Sequence, residues 1–333
     1  MIRAAILGAS GFVGAELLRL LDLHPDIEPL ALFGDSRAGQ PLADVHPHLA
    51  FAYPDLTIER YSPGALAGAD LVFAALPHGY SQALAADILA SGARFIDLGA
   101  DFRLDSAEEY ERWYGEPHRA PELLSRFVYG IPELHRREIA AAQAVAAAGC
   151  YPTSAILALK PLIDLIEPGS LVVDAASGVS GAGKGLKDNT HFNSVDENFA
   201  AYGLLTHRHT AEMEMALGET LLFTPHLAPM NRGILATCHA IAKGPCDPLA
   251  RLRDAYAGEP FVHVSERPPA TKWTLGSNAV HLTARYDPRT GRILALAALD
   301  NLVKGAAGQM IQCANLMLGL DETAGLPRVG VWP

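Results

Sequence analysis

A six-residue, mostly apolar run, Ile2 to Leu7, leads directly into Gly8-Ala-Ser-Gly11-Phe-Val-Gly14, and helical periodicity follows over Val13–Leu21. A strand, a glycine turn and a helix in that order open a βαβ unit, and few folds accept the pattern. Glycines at these spacings permit the tight turn and let a pyrophosphate come close to the backbone. The free N–H groups and the dipole of the helix N-terminus then bind the anion. Gly8, Ser10, Gly11, Phe12, Val13 and Gly14 are therefore the candidate dinucleotide cradle, with a plain tight turn as the alternative reading.

The rhythm continues. Pro29–Phe33, Leu71–Leu76 and Phe95–Leu98 read as buried parallel strands, and Ser81–Ala90 as a helix between them. The alternation predicts an α/β fold with a Rossmann-type doubly wound parallel sheet. The segment Gly115–Ile139, rich in Pro, His and Arg, reads as an irregular excursion. Beyond residue 150 the pattern changes: a helix over Ile156–Ile166, a strand over Leu171–Ala175, then apolar runs at Gly233–Lys243, Ala279–Tyr286 and Arg292–Ala298. The last two flank Asp287-Pro-Arg-Thr-Gly291, a hairpin-turn composition. These features predict a second, α+β domain with a mixed or antiparallel sheet. Lys304–Leu318 closes the pattern as a helix, with Gly319 as its C-cap.

Composition removes several classes. The 333 residues carry a formal charge of -11 with no Lys/Arg cluster, which argues against a nucleic-acid reader. Four irregularly spaced cysteines form no disulfide framework, and no C-x-x-C pair suggests structural zinc. Ile2–Leu7 is too short for a signal-peptide core, and no apolar run reaches the roughly 20 residues that span a bilayer. The expectation is a soluble cytoplasmic protein with no membrane partner and no metal.

Two groups of side chains carry chemistry. Cys150 follows the apolar run Val145–Ala148 and precedes a helical stretch, so it should sit at a helix N-terminus, where the dipole favours thiolate. Pro152 fits the first turn and Thr153 can cap it. Cys238, Cys246 and Cys313 read as small buried hydrophobes. The densest polar cluster, Thr206-His207-Arg208-His209-Thr210-Ala-Glu212, offers imidazoles to hold the thiolate and move a proton, with Arg208 for an anionic substrate. A His-x-His metal site is the alternative there. At the end of the second strand, Gly34-Asp35-Ser36-Arg37 offers both an acid for a ribose hydroxyl and a base for a 2′-phosphate. Ser36 beside Arg37 favours NADP(H). Gly178-Val-Ser-Gly-Ala-Gly183-Lys184-Gly185 nearly matches a P-loop but has Gly185 where a magnesium-binding Ser or Thr belongs. A loop of this kind can still hold a phosphate or carboxylate.

Taken with Leu76-Pro-His-Gly79, Asp97-Leu-Gly-Ala-Asp-Phe-Arg103, Tyr129-Gly-Ile-Pro-Glu133, Gly149-Cys-Tyr-Pro-Thr153, Phe223-Thr-Pro-His-Leu-Ala-Pro-Met-Asn-Arg-Gly233 and Asp300-Asn-Leu-Val-Lys-Gly-Ala-Ala-Gly308, the chain resembles the N-acetyl-γ-glutamyl-phosphate reductase family nearly end to end. Aspartate-semialdehyde dehydrogenase is a relative of that family. The resemblance implies reduction of an acyl phosphate by NADPH through a thioester on Cys150, in arginine biosynthesis. It implies His207 as acid/base and His209 against substrate, with the two roles not separable from sequence physics. It implies Ser36 and Arg37 on the 2′-phosphate and Asn301 near the nicotinamide. Arg103, Lys184, Arg208 and Arg232 are candidates for the substrate carboxylate and phosphate. It further implies a nucleotide domain over 1–148 completed by 302–333, a catalytic and oligomerisation domain over 149–301, and a homotetramer. Ala148 departs from the proline common before Gly-Cys in the family. Aspartyl phosphate, or a carrier-bound glutamyl or aminoadipyl phosphate, is the alternative substrate. A triphosphatase and a nucleotide-sensing protein with an inert Cys150 are the alternatives of other classes.

Overall fold

The computed structural model describes residues 1–62 and 64–332; Pro333, the last residue of the expected closing segment, lies outside the described residues. The chain forms two compact units, Met1–Ala148 with Ala306–Leu326, and Gly149–Gly305 with the chain from Pro327 onward. The segment that completes the first unit is thus shorter than 302–333, and the last residues lie with the second.

In the first unit, strands β1 (Ile2–Leu7), β2 (Ile27–Phe33), β3 (Ile58–Glu59), β4 (Leu71–Ala74), β5 (Arg94–Asp97), β6 (Phe127–Gly130) and β7 (Ala144–Ala147) form one parallel sheet in the order β3-β2-β1-β4-β5-β7-β6. Helices α1 (Phe12–Leu21), α2 (Leu42–Val45), α3 (Ser81–Ala90), α4 (Ala107–Tyr114) and α5 (Pro132–Ala141) lie along this part of the chain. The order reverses direction between β1 and β4, and ligands of doubly wound sheets bind at such a switch point. Sterics place the turn there. Gly8 has φ +87°, and a Cβ on it would stand 2.3 Å from the Ala75 carbonyl oxygen. One core cluster joins Leu7, Phe33, Val72, Ala74 and Phe95. The stretch read as irregular, 115–139, instead contains a 3₁₀ turn at Pro121–Arg126, the edge strand β6 and helix α5. Three half-buried strand residues followed by the buried Gly130 give no alternation to read, and α5 has a break at His135 (φ -129°, ψ 28°) inside a charged Leu-His-Arg-Arg-Glu run.

In the second unit, helices α6 (Cys150–Leu159), α7 (Phe192–Val195), α8 (His209–Leu217) and α9 (Pro248–Ala255) accompany strands β8 (Leu171–Gly178), β9 (Ala200–Ala201), β10 (Leu221–Ala228), β11 (Ile234–Ile241), β12 (Val262–Val264), β13 (Val280–Asp287) and β14 (Arg292–Leu299). The sheet is mixed, in the order β12-β13-β14-β11-β8-β10-β9. β8 and β11 alternate buried and half-buried residues, so one face of the sheet meets the core. The expected hairpin joins β13 to β14. β10 was not legible as a strand because Pro225 removes a ladder donor from its middle. Its carbonyl still accepts the Tyr202 N–H at 3.1 Å. The final helix begins with a π-helical turn at Val303–Ala307 and continues as α10 (Gly308–Leu318), ended by Gly319 at φ +68°.

A buried polar network closes the β5 end of the first unit. Asp97 is fully buried, and its Oδ1 accepts the Ser81 hydroxyl at 2.7 Å and the Gly99 N–H at 2.9 Å. Its Oδ2 has no partner among the described residues. Burial pushes the carboxyl up to about 7, against the Ser81 bond and with the Asp101 charge. An unfolded aspartate titrates near ~3.9. The native state therefore holds the extra proton between those values, and the group's stabilisation is lost as pH rises through about 7. Asp97→Asn should accordingly gain in melting temperature relative to the parent as pH goes from 5 to 8. A difference between the two that stays constant across a thermal-denaturation pH series would refute a buried, protonated Asp97.

Candidate active site

Cys150 is the first residue of α6, half-buried and unoxidised, with Gly149 as the N-cap at φ -68°, ψ 159°. No side chain caps this helix and no acid sits in its first turn. Thr153 does not cap either. Its hydroxyl donates back to the Gly149 carbonyl at 2.8 Å. What holds the helix start is Glu212, which is 2% exposed and accepts the Gly149 N–H on Oε1 at 2.7 Å. On the far side, a Cβ at Gly305 would lie 2.7 Å from the Cys150 Cβ, so only glycine lets that backbone pass.

The imidazoles gather around Tyr151. Its ring stands 5.7 Å from that of His207 and 6.0 Å from that of His209, and the two imidazoles are 4.8 Å apart. Tyr202 and Phe223 complete the enclosure of His207 at 5.5 Å and 5.3 Å. The Tyr202 hydroxyl donates to that of Tyr151 at 3.2 Å, which donates to the His226 carbonyl at 2.9 Å. His207 Nδ1 accepts the His209 N–H at 3.2 Å, which assigns the neutral ring its proton on Nε2. Burial, helped by the Arg208 charge, pulls His207 down to about 4. The ring is therefore neutral at physiological pH and presents an N–H donor.

Among the other candidates, Arg208 is the half-buried N-cap of α8, and Lys184 is exposed on the glycine loop after β8. That loop is a 3₁₀ turn at Val179–Ala182, so no P-loop helix follows it. Arg232 lies 3.7 Å from the buried Asp300 carboxylate. Asn301 is 2% exposed and ties two loops: its Oδ1 accepts the Gly233 N–H at 2.7 Å and its Nδ2 donates to Ser180 Oγ at 2.9 Å. Arg103 belongs to the first unit, where it is buried and donates to the Leu98 carbonyl at 2.6 Å. Of the remaining cysteines, Cys238 and Cys313 are buried, and burial pushes the Cys238 thiol up to about 12. Cys246 is half-exposed instead of buried, because it falls in the Gly-Pro-Cys-Asp turn ahead of α9. Among the described residues no group of three His, Cys, Asp or Glu could hold a metal.

The first unit carries a cradle that suits a pyrophosphate. A Cβ at Gly14 would lie 2.5 Å from the Gly8 carbonyl oxygen, and Gly11 caps α1 with no competing side chain and no acid in the first turn. His46 Nε2 donates to the Ala9 carbonyl at 3.0 Å and so braces the turn. Beyond β2, Ser36 and Arg37 are exposed, while the Asp35 carboxylate pairs with Arg60 at 2.8 Å. The acid that left the choice of dinucleotide open thus faces a cation just past β3. The bracing roles of Glu212 and His46, and the pairing of Arg60, were not identified from sequence.

Comparison with known proteins places both units among the semialdehyde dehydrogenases. Residues 3–142 match the model of the semialdehyde dehydrogenase NAD binding domain, and residues 150–301 that of the semialdehyde dehydrogenase dimerisation domain. A protein of Symbiobacterium thermophilum named N-acetyl-gamma-glutamyl-phosphate reductase is 49% identical, covering 100% of this chain and 99% of its own. One of the same name from Pelotomaculum thermopropionicum is 46% identical over the same shares. In fold, the chain is similar to aspartate semialdehyde dehydrogenase II of Vibrio cholerae, with a TM-score of 0.74 at 18% identity over 96% of this chain and 98% of that one.

The Gly149–Glu212 bond yields a test. Leaving a buried donor unmet costs about 1–3 kcal/mol. Spent on misplacing Cys150, that is roughly a 5- to 150-fold fall in turnover. Glu212→Ala should show it in kcat with KM little changed, while Glu212→Gln, which keeps an acceptor oxygen, should recover most of the rate. Equal losses in both would assign the effect to the charge and not to the hydrogen bond.

Proposed function

The chain belongs to the N-acetyl-γ-glutamyl-phosphate reductase family of semialdehyde dehydrogenases, and from that premise we propose that it reduces N-acetyl-γ-glutamyl phosphate to N-acetyl-glutamate 5-semialdehyde with release of phosphate, in arginine biosynthesis. The observation that carries the reading is the placement of Cys150 at an uncapped helix start, pinned by Glu212, with a neutral, proton-bearing His207 in the adjoining aromatic enclosure.

Cys150 attacks as thiolate. Its sulfur forms a bond to the γ-carbonyl carbon, the acyl–oxygen bond to phosphate breaks, and phosphate leaves with the electron pair. The N–H groups of Cys150 and Tyr151, in the first turn of α6, are the donors aimed at the oxygen of the tetrahedral species, since Pro152 has none to offer. NADPH, when bound on the glycine cradle, supplies the hydride that the thioester carbon accepts. His207 Nε2–H donates a hydrogen bond to the resulting oxyanion, which re-forms the carbonyl as the carbon–sulfur bond breaks, returning the Cys150 thiolate and freeing the semialdehyde. His209 lies beside His207 and stands against the substrate.

Ser10, Phe12 and Val13 line the cradle with the three glycines. Ser36 and Arg37 hold the 2′-phosphate, a role supported by the pairing of Asp35 with Arg60. Asn301 braces loops beside the nicotinamide. Arg208, Arg232, Lys184 and Arg103 serve the substrate's carboxylate and phosphate. A homo-oligomer, a tetramer by the family pattern, is supported by exposed apolar residues of the second unit, Phe192, Phe199, Leu204, Leu205 and Leu222. Among the described residues no helix is long and apolar enough to cross a membrane, and we place the reaction in the cytoplasm.

The deciding assay runs the reaction backwards, following NADPH formation from N-acetyl-glutamate semialdehyde, NADP and phosphate. We expect phosphate-dependent turnover in the parent and none above background in Cys150→Ala. Turnover that survives the substitution rules out the thioester, and activity only with aspartate semialdehyde selects the alternative substrate. The protonation of His207 gives a second check. Because the ring is neutral down to about 4, kcat/KM should show no inflection belonging to His207 between pH 6 and 7. An inflection there that disappears in His207→Asn would mean that an imidazolium is the working form.

A further inference from the structure

The edge of the second sheet carries a cleft that none of the Cys150 chemistry uses. β12 pairs in parallel with β13 so that His263 lies opposite His281, between the pairs Val262–Val280 and Val264–Leu282. Val280 and Leu282 are buried in the core, so the two histidines point to the other face, with their rings 5.0 Å apart. The Trp273 ring stands 6.1 Å from that of His281. Residues 327–332 form the opposite wall and are fixed to it. The Asn278 N–H donates to the Pro327 carbonyl at 2.8 Å, and the Val331 N–H to the Leu275 carbonyl at 2.7 Å. Gly330 is required for that approach, since a Cβ on it would fall 2.2 Å from the Trp273 carbonyl oxygen.

The space between these walls measures about 670 Å³ and is lined by His263, His281, Trp273, Trp332, Arg328 and Glu259 among others. That volume is in the range of small-molecule sites. Its lining carries one guanidinium, that of Arg328, and one carboxylate, that of Glu259, beside the two imidazoles. Arg328 makes no ion pair among the described residues. Lys272 lies 5.4 Å over the Trp332 ring and Arg267 5.7 Å over the Trp273 ring, which adds two cations to the rim and steadies both indoles. Burial, and then the neighbouring His263, hold His281 below its ordinary value. An anion between the rings removes that repulsion.

We propose that this cleft binds a small organic anion carrying a flat ring, with the anionic group on Arg328 and the paired imidazoles and the ring against the Trp273 and Trp332 indoles. A guanidinium and two imidazoles suit a phosphate or carboxylate, and the aromatic walls give the ring an apolar surface in contact with water on one side only. Both sources of the anionic group share this chemistry.

Two of the chain's three tryptophans line the cleft, so binding is visible in tryptophan emission. The probe is phenyl phosphate, titrated into the full-length protein, with inorganic phosphate, benzoate and benzyl alcohol alongside. We expect saturable quenching by phenyl phosphate in the parent and equally in Cys150→Ala, with affinity at least tenfold lower in Arg328→Gln and in His281→Gln. Inorganic phosphate and benzyl alcohol, each carrying half of the recognised chemistry, should bind at least tenfold more weakly. Benzoate separates a carboxylate-preferring from a phosphate-preferring site, both within the proposal. Absence of saturable quenching by either ring-bearing anion overturns it, as does unchanged affinity in Arg328→Gln. So does a change of sedimentation mass in Arg328→Gln or Trp332→Ala, which makes the cleft a seam between copies of the chain.

Discussion

The placement of Cys150 rests on one hydrogen bond, from the Gly149 N–H to the buried carboxylate of Glu212. Gly149 is in extended conformation and Cys150 is the first helical residue, so the direction of the thiol follows from how Gly149 is held. Glu212 is well suited to hold it because α8 carries His209 three residues earlier. Positions three apart lie on the same side of a helix. One short helix therefore presents a carboxylate to the start of another and an imidazole to the residue after Cys150. His207 sits just ahead of it, and the Thr210 N–H donates to its carbonyl at 3.0 Å. A shift of α8 by one residue would move all three groups together and leave none in place.

The electrostatics of this cluster follow from crowding. His207 and His209 have ring centroids 4.8 Å apart, with Arg208 between them in sequence and most of His207 out of water. Arginine keeps its proton under all ordinary conditions, so an added imidazolium would be a like charge in a medium that screens poorly. The ring responds by staying neutral. This separates two tasks that an ion pair would merge. The start of α6 favours negative charge through a dipole and N–H groups that do not titrate, while the imidazole remains a neutral hydrogen-bond donor.

What was legible in the sequence was what local sterics dictate. Gly8 and Gly14 have no room for a side chain, so the turn they make is written in glycine and can be read without partners. The same holds for Gly319, for the hairpin at Asp287–Gly291, and for Cys150 at a helix start, since each depends on a few consecutive residues. The braces were not legible. Glu212 lies 63 residues from Gly149, and His46 lies 37 residues from Ala9. Nothing in the local pattern pairs either with its distant partner. Arg60 could not be matched to Asp35 until two parallel strands placed their ends side by side. Strand β10 was obscured by its own proline, whose cost is small because a neighbour on one side is only the two-residue β9. Cys246 was misjudged because burial was inferred from residue type alone.

The loops around Asn301 show the same logic taken to its limit. A Cβ at Gly178 would lie 2.7 Å from the Arg232 backbone nitrogen, so the end of β8 and the 230–233 loop meet backbone to backbone. Two such loops repel one another unless their polar groups are matched. Asn301 supplies one acceptor to Gly233 and one donor to Ser180, whose hydroxyl in turn donates to the Asn231 carbonyl at 2.6 Å. Asp300 fixes the segment that carries Asn301, accepting the N–H groups of Gly276 at 2.7 Å and Leu302 at 2.8 Å, and faces Arg232 across 3.7 Å. Truncating Asn301 would therefore leave one donor and one acceptor unmet at a buried position. The position is constrained first by the loops it closes, and any contact it makes with a cofactor ring is aimed by that closure.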